Sequence, residues 1–261
     1  MTGKEFCFGS RWFGVRFALL TLAQNLLSLL LGGEECVRCS RLAVRIPLCR
    51  RCLPAFWRTE GGRSCSCCGK LLLSESDVCS RCRESPVLRS IDRAFSLHSY
   101  QLWRKSLLFA WKMEGKRGLS VYFASIFQKK LREIEVAEGT EIAVVPVPPR
   151  AGKIRERGWD QVEEMCFYLE RGWNVRVLRL LERLSSVQQK KLGRTQRIDG
   201  IETSYRLRSG RQIRKICPMM PDTLVLADDV MTTGSTLEAC ARELRRLGVR
   251  RVFSITLFAV D

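Results

Sequence analysis

One stretch decides the fold of this chain: Leu224-Val-Leu-Ala-Asp228-Asp229-Val-Met-Thr232-Thr233-Gly234-Ser235-Thr236. It begins as an apolar strand and places two adjacent carboxylates at its end, where ligands bind in open α/β sheets. A hydroxyl-rich loop then leads into a helix predicted for residues 235–247, whose apolar side chains form one stripe. The loop N–H groups, the hydroxyls and the positive end of the helix dipole suit a phosphate monoester. The carboxylates could then bind sugar hydroxyls, directly or through Mg²⁺.

Strand and helix signals alternate from about residue 92 onward. The predicted strands are Ile91–Leu97, Glu141–Val147, Trp173–Leu178, Thr223–Ala227 and Arg251–Ala259, and the predicted helices are Leu102–Trp111, Leu119–Ile134, Arg157–Leu169 and Ser235–Leu247. This alternation predicts an α/β fold in which helices flank a parallel sheet.

Four CxxC pairs precede this region. Nine residues separate the first two pairs and ten separate the last two. A tetrahedral Zn²⁺ site takes two such pairs, so the set is enough for two structural zinc ions. The sequential pairing is the simplest, but spacing leaves an interleaved pairing open, and Cys67 could replace Cys68. The predicted ligands are Cys36, Cys39, Cys49, Cys52, Cys65, Cys68, Cys79 and Cys82.

Two roles for this cysteine module stay open. In the first it is a staple, because some fifty residues with few apolar side chains do not fold without metal. In the second it is a platform for nucleic acid or a partner, since arginines interleave with aromatic residues there. The residues concerned are Arg38, Arg41, Arg45, Arg50, Arg51, Arg58, Arg63, Phe56 and Trp57.

Charge and composition narrow the function. The 261 residues carry 45 Lys and Arg against 27 Asp and Glu, a formal charge of +18, which indicates an anionic partner or surface. The single histidine, His98, excludes most serine-hydrolase triads and multi-histidine metalloenzymes. Closely paired cysteines are typical of metal ligands in a reducing compartment, so the predicted localisation is cytoplasmic.

The N-terminal segment is apolar from Phe17 to Leu31 and follows Lys4, Arg11 and Arg16. It is short and has polar residues in its middle, which argues against a membrane span. A packing helix, a helix on the inner membrane surface and an export signal stay as alternatives, in that order.

The motif D-D-V-x-T-T-G-x-T is similar to the phosphoribosyl-pyrophosphate (PRPP) motif of type I phosphoribosyltransferases. With the CxxC module before it, the chain resembles the ComF (ComFC/GntX-like) competence family over residues 34–261. Val145-Pro-Val-Pro148 with Arg157-Gly-Trp159-Asp160-Gln161 resembles that family's VPVP…RGFNQ segment, and Gln189-x-x-Leu192…Arg197 resembles a further block.

We expect three parts: an apolar helix at 1–33 from the N-terminal pattern and, as the resemblance implies, a double zinc ribbon at 34–90 and a phosphoribosyltransferase-like domain at 91–261. It implies that Asp228 and Asp229, the catalytic candidates, hold the ribose hydroxyls of PRPP, with Mg²⁺ as cofactor. The other PRPP-binding candidates that it implies are Thr232, Thr233, Gly234, Ser235, Thr236, Pro148, Arg155, Arg157 and Lys112.

The resemblance further implies a role in DNA uptake and single-stranded DNA handling, with proteins of the uptake machinery as partners. The alternative is a PRPP-dependent transferase in nucleotide or related metabolism. Thr232 stands where purine-salvage enzymes commonly carry an acid, which disfavours purine salvage. Gly200 and Tyr205 also depart from the family pattern, where Asn and Phe stand.

Two arginine-rich clusters exceed what one PRPP molecule needs. A solvated basic face, DNA and an acidic membrane surface are the alternatives for them. They are Arg206, Arg208, Arg211, Arg214 and Lys215, and Arg242, Arg245, Arg246, Arg250 and Arg251.

Overall fold

The computed structural model describes residues 34–44, 46–57, 63–72, 75–100, 103–150, 152–184 and 204–260. The apolar N-terminal segment, Arg45, Arg58, Gly200 and the block at 189–197 lie outside these residues, as do the side chains of Trp57 and Arg155.

Eight strands and eight helices are formed within the described residues. The strands are β1 (Glu34–Glu35), β2 (Leu42–Ala43), β3 (Arg93–Ser99), β4 (Ala143–Pro146), β5 (Leu181–Arg183), β6 (Tyr205–Leu207), β7 (Thr223–Met231) and β8 (Arg251–Ala259). The helices are α1 (Leu53–Trp57), α2 (Ser80–Glu84), α3 (Trp103–Lys112), α4 (Leu119–Glu138), α5 (Lys153–Arg157), α6 (Gln161–Trp173), α7 (Gly210–Ile216) and α8 (Ser235–Arg245).

The central sheet has the order β3-β8-β7-β4, and all of its pairs are parallel. Side chains alternate between its faces, so Val144 and Val225 enter one core while Ala143 and Leu224 enter the other. The first core is covered by α3, α4 and α6, and the second by α8. Because a strand buried on both faces reads as a continuous apolar run, the first residue of β7 is followed by the unbroken apolar run at 224–227. The predicted α/β fold with a parallel sheet flanked by helices is confirmed.

The helix predicted for Arg157–Leu169 is wrong at its start. Helix α5 ends at Arg157, because the next residue, Gly158, has a left-handed φ of 78° and donates its N–H to the carbonyl of Ile154 at 2.7 Å. Helix α6 starts afresh because Asp160 caps it, accepting from the N–H groups of Val162 and Glu163 at 3.0 and 3.1 Å. The sequence therefore forms the end of one helix and the whole of a second where a single helix was predicted.

The predicted strands also differ from those of the structure. The segment Trp173–Leu178 is not a strand, since Trp173 ends α6 and only Val177 bridges to Val144. Strand β7 extends past Ala227 to Met231, because β8 continues to pair with it. The antiparallel pair β5 and β6 was not predicted from the sequence.

Within the described ranges, no helix combines the length and the apolar character that crossing a membrane requires.

Candidate functional site

The candidate site lies where β7 extends beyond the end of its neighbour β4. Strand β4 stops pairing at Pro146, opposite Ala227, whereas β7 continues beside β8. Asp228 and Asp229 therefore lie beyond the end of β4, where a ligand can reach them. Pro148 follows directly after Val147, whose N–H bonds to the Ala227 carbonyl at 2.9 Å, so its loop begins next to this acid pair.

The predicted phosphate loop connects β7 to α8. At Gly234 the backbone has a φ of 88°, a left-handed conformation that favours glycine. The N-cap residue Gly234 offers no side-chain cap, so N–H groups of the first turn of α8 after that of Ser235 are left for a ligand. The loop is ordered by its own hydroxyls: Thr233 Oγ1 lies 3.0 Å from Ser235 Oγ and accepts from the Ser235 N–H at 3.3 Å.

The acid pair has a cation of its own. Lys112 Nζ lies 2.7 Å from Asp229 Oδ2, and the Asp229 N–H donates to Asp228 Oδ1 at 2.8 Å. Burial of the carboxyl group, and next the charge of Asp229, raise the pKa of Asp228 to about 8. Lys112, which is predicted to contact PRPP, lies against one of the two predicted carboxylates.

The segments that carried the family resemblance converge on Lys112. Its backbone carbonyl lies 3.4 Å from Arg157 Nη1 and 3.4 Å from Gln161 Nε2, and both nitrogens donate to it. The ring of the neighbouring Trp111 contacts that of Trp159 edge to face, with 6.5 Å between their centroids. The block at 157–161 therefore fixes the end of α3 and aims Lys112 at the acid pair.

Asp160 has a structural role. It is 4% exposed, and its Oδ2 forms a 2.6 Å ion pair with Lys153 Nζ while Oδ1 caps α6. Lys153 also donates to Gln161. Sequence reasoning missed Lys153 because the contact spans the break between α5 and α6, which the single predicted helix concealed.

Tyr205 and Arg183 come to the loop from the unpredicted pair of strands. Tyr205 is 5% exposed, and the Arg183 guanidinium lies 5.3 Å from its ring centroid. Burial of the Tyr205 hydroxyl raises its pKa. Arg155 lies in α5, at the side of the loop that follows β4.

The eight predicted cysteine ligands form two groups, paired in chain order. The sulfur atoms of each group all lie within 4.8 Å of one another. Cys39 and Cys49 sulfurs are 3.6 Å apart, and those of Cys68 and Cys79 are 3.7 Å apart. A zinc ion with four Zn–S bonds of about 2.3 Å separates its sulfurs by about 3.8 Å. Both groups are therefore compatible with structural zinc. We call Cys36, Cys39, Cys49 and Cys52 the first cluster, and Cys65, Cys68, Cys79 and Cys82 the second cluster.

The thiol pKa values differ widely within the first cluster. A hydrogen bond from the Cys52 N–H is the main reason why the pKa of Cys49 is lowered to about 6. Burial, and next the neighbouring thiols, raise the pKa of Cys52 to about 12. Four sulfurs this close cannot all be thiolates unless a cation lies among them, and Zn²⁺ supplies that charge. Cys67 lies outside the second cluster.

The predicted platform for nucleic acid loses one of its aromatic residues. Phe56 is 1% exposed and packs in the core below α4, where its carbonyl accepts from the Tyr122 hydroxyl at 2.8 Å. Its ring is therefore not available for stacking on a base.

The two arginine-rich clusters differ in how far carboxylates neutralise them. Three residues of α7, Arg211, Arg214 and Lys215, are exposed on one short helix. In the other cluster four arginines have ion-pair partners: Arg242 with Glu238, Arg245 with Asp92, Arg246 with Glu243 and Arg251 with Glu138. Carboxylates therefore neutralise most of the charge of the cluster at 242–251, whereas the three exposed cations of α7 have no carboxylate partner among the residues that the structure describes.

Comparison with known proteins supports the family predicted from the sequence. The chain is 27% identical over 212 residues to the competence protein ComFC of Streptococcus pneumoniae (strain ATCC BAA-255 / R6), covering 80% of this chain and 86% of that protein. No family model matches the chain. The relative and the two cysteine clusters together support a ComF-type protein with a double zinc ribbon and a competence-associated function.

Proposed function

We propose that this chain, a protein of the ComF family, binds PRPP or a similar phosphosugar through the loop at 232–236 and the acid pair Asp228 and Asp229. Its role would lie in DNA uptake, in handling single-stranded DNA. The observation that carries the proposal is the position of the acid pair beyond β4, beside an α8 N-terminus without a side-chain cap.

Each part of a phosphosugar finds a matching group here. The 5′-phosphate suits the loop, where the helix dipole and backbone N–H groups favour negative charge. The ribose hydroxyls suit the carboxylates, which accept hydrogen bonds. Lys112, 2.7 Å from Asp229, and Arg157, hydrogen-bonded to the Lys112 carbonyl, place positive charge near the acid pair for a diphosphate group.

Magnesium would enter with the diphosphate. The oxygen donors of Asp228 and Asp229 fit Mg²⁺, which is usually bound by one or two carboxylates together with substrate phosphates. When bound it neutralises phosphate charge. The contribution of the chain itself is to hold the sugar by its hydroxyls and its 5′-phosphate at two fixed points.

Titration calorimetry with PRPP and Mg²⁺ tests the ligand. The variant Asp228→Asn with Asp229→Asn should abolish the heat of binding, because the neutral amides replace the carboxylates that bind the hydroxyls and the cation. Asp222→Asn is the matched control, since this exposed residue precedes the opposite end of β7. If PRPP gives no heat with the wild-type protein, or binds the double variant equally well, the proposed site is wrong.

For single-stranded DNA we propose α7 as the contact. Phosphate contacts give a salt-dependent affinity, with a slope that grows with the number of cations involved. Replacing Arg211, Arg214 and Lys215 with Ala should weaken binding of labelled DNA and reduce the salt slope by about 2. Replacing Arg242, Arg246 and Arg251 removes the same charge and should change affinity less, because these side chains already pair with carboxylates. Absence of binding at low salt would rule out direct DNA handling.

A PRPP-dependent transferase is the second candidate. It is favoured by the cations next to the acid pair, which could stabilise departing pyrophosphate. Its test is release of pyrophosphate from PRPP in the presence of a panel of amine and base acceptors. Binding of PRPP without release by any acceptor would leave the chain as a binding protein.

A further inference from the structure

The second cysteine cluster and the phosphate loop lie next to each other. A crevice between them is lined on one side by Met231, Thr232 and Thr233, and on the other by Cys79, Cys82 and the residues that follow. The first cluster belongs instead to the core on the other face of the sheet, with α4. Only one of the two clusters is thus placed to affect the loop.

Leu88 packs against the loop across this crevice. A Cβ added at Gly234 would lie 3.0 Å from Leu88 Cδ2, so the turn at the start of α8 fits against that side chain with no room to spare. Leu88 is 9% exposed and lies six residues after Cys82. While Cys82 is held in the cluster, this short stretch of chain limits how far Leu88 can move.

Glu238 ties the same segment to the first turns of α8. This residue is 6% exposed. Its Oε2 accepts from the N–H groups of Arg89 and Ser90 at 2.8 and 2.9 Å, and its Oε1 accepts from the Ser90 hydroxyl at 2.8 Å. Three hydrogen bonds to one buried carboxylate make a strong link. On the cysteine side this segment continues from α2, which has Cys79 as its N-cap and contains Cys82.

The cluster is itself fixed on the sheet. Gly69, next to Cys68, has a φ of 71°, and a Cβ there would lie 2.5 Å from the Ala94 carbonyl of β3. The pair Cys65 and Cys68 therefore lies directly on the backbone of the central sheet. Metal in the second cluster would join this pair to α2, and through α2 to the segment 85–90.

We propose that the second cluster is part of the phosphosugar site: Leu88 and Glu238 are positioning residues for the loop at 232–236, and metal in this cluster holds the segment 85–90 that carries their contacts. Metal and phosphosugar then bind cooperatively, each raising the affinity for the other by the same factor. The first cluster lacks this coupling. The inference rests on the proposed phosphosugar site, and deepens it by giving the second zinc ion a role in ligand binding.

Calorimetry with PRPP and Mg²⁺ on matched cysteine variants tests the cooperativity. Cys79→Ser with Cys82→Ser should weaken PRPP binding tenfold or more, whereas Cys36→Ser with Cys39→Ser should change it less than threefold. Leu88→Ala and Glu238→Gln keep all eight ligands and the metal, and each should still weaken PRPP binding severalfold. In the reverse direction, PRPP should slow the extraction of metal by a chelator from the second cluster only.

Amide hydrogen exchange of the ligand-free protein separates this inference from the proposed function. Exchange at 232–236 should speed up when the second cluster is disrupted or Leu88 is shortened, and stay unchanged when the first cluster is disrupted. Equal exchange in all of these proteins, or PRPP affinity that is unaffected by the second cluster, overturns the coupling. If PRPP does not bind the wild-type protein but the exchange pattern appears, the proposed ligand is wrong and the support of the loop by the second cluster stands.

Discussion

Lys112 Nζ lies 2.7 Å from Asp229 Oδ2, so a lysine at the end of α3 forms an ion pair with one carboxylate of the acid pair in β7. The side chains are 28% and 13% exposed, which leaves the pair partly screened by solvent. Two adjacent carboxylates repel each other, and the charge of Asp229 contributes to the raised pKa of Asp228. The lysine offsets this repulsion while the site holds no ligand.

Removing this lysine should cost stability in proportion to the charge that it neutralises. We expect Lys112→Met to lower the free energy of unfolding by about 1–2 kcal/mol, because Asp229 is left partly buried without its cation. In an Asp229→Asn background the same change should cost less than half as much, since no charge remains to be stranded. Urea denaturation of the four proteins measures the cycle. Equal costs in both backgrounds would mean that the ion pair contributes nothing.

Gly234 should tolerate no side chain, for two separable reasons. Alanine at a left-handed position costs about 1 kcal/mol, and here its Cβ would also press on Leu88 at 3.0 Å. Gly248 is a matched control, because its φ is 77° and a Cβ there meets nothing within 4 Å. Gly234→Ala should therefore lower the melting temperature more than Gly248→Ala and should alone weaken PRPP binding. Equal effects of the two changes on binding would contradict the proposed phosphate loop.

The wild-type chain should hold two zinc ions. Cys36→Ser with Cys39→Ser, and Cys79→Ser with Cys82→Ser, should each remove one, because two sulfurs cannot replace a set of four. Cys67→Ser should retain both ions, since Cys67 lies outside the second cluster despite its position beside Cys68. Metal analysis of the purified proteins measures this. Loss of an ion from the Cys67 variant would show that the cluster geometry is wrong.

The sequence predicted those parts of the fold that depend on local pattern. Strand β8 has the predicted bounds, because its residues are mostly apolar, β-branched or aromatic and follow the turn at Gly248. Spacing made the sequential pairing of the cysteines the simplest one and left an interleaved set open; the two groups of sulfur atoms follow the sequential pairing. The break at Gly158 and the cap at Asp160 were missed, since apolar periodicity continues across them.

The candidate site was predictable in its residues but not in their partners. The acid pair and the loop lie within one continuous motif, so their proximity is local. The contacts of Lys112 with Asp229 and of Leu88 with Gly234 join residues more than a hundred positions apart. Such contacts depend on how helices and the cysteine module pack on the sheet, which no local pattern encodes.

His98 should make the protein less stable in mild acid. Burial lowers its pKa from 6.5 to about 4; its Nε2 lies 3.4 Å from the Tyr122 hydroxyl, and no described residue hydrogen-bonds to its Nδ1. The unfolded chain therefore takes up a proton below about pH 6.5 that the folded chain refuses until about pH 4. The free energy of unfolding should fall over this window, by up to about 3 kcal/mol, and keep its full value above it.

Loss of metal from the cysteine clusters also destabilises the fold in acid. The measured quantity is therefore the difference in stability from His98→Gln, a variant that keeps both clusters but has no imidazole to take up a proton. Urea denaturation at a series of pH values should show the wild type losing more stability than this variant between pH 6.5 and 4. Parallel curves for the two proteins would mean that His98 accepts a proton in the fold as readily as in the unfolded chain.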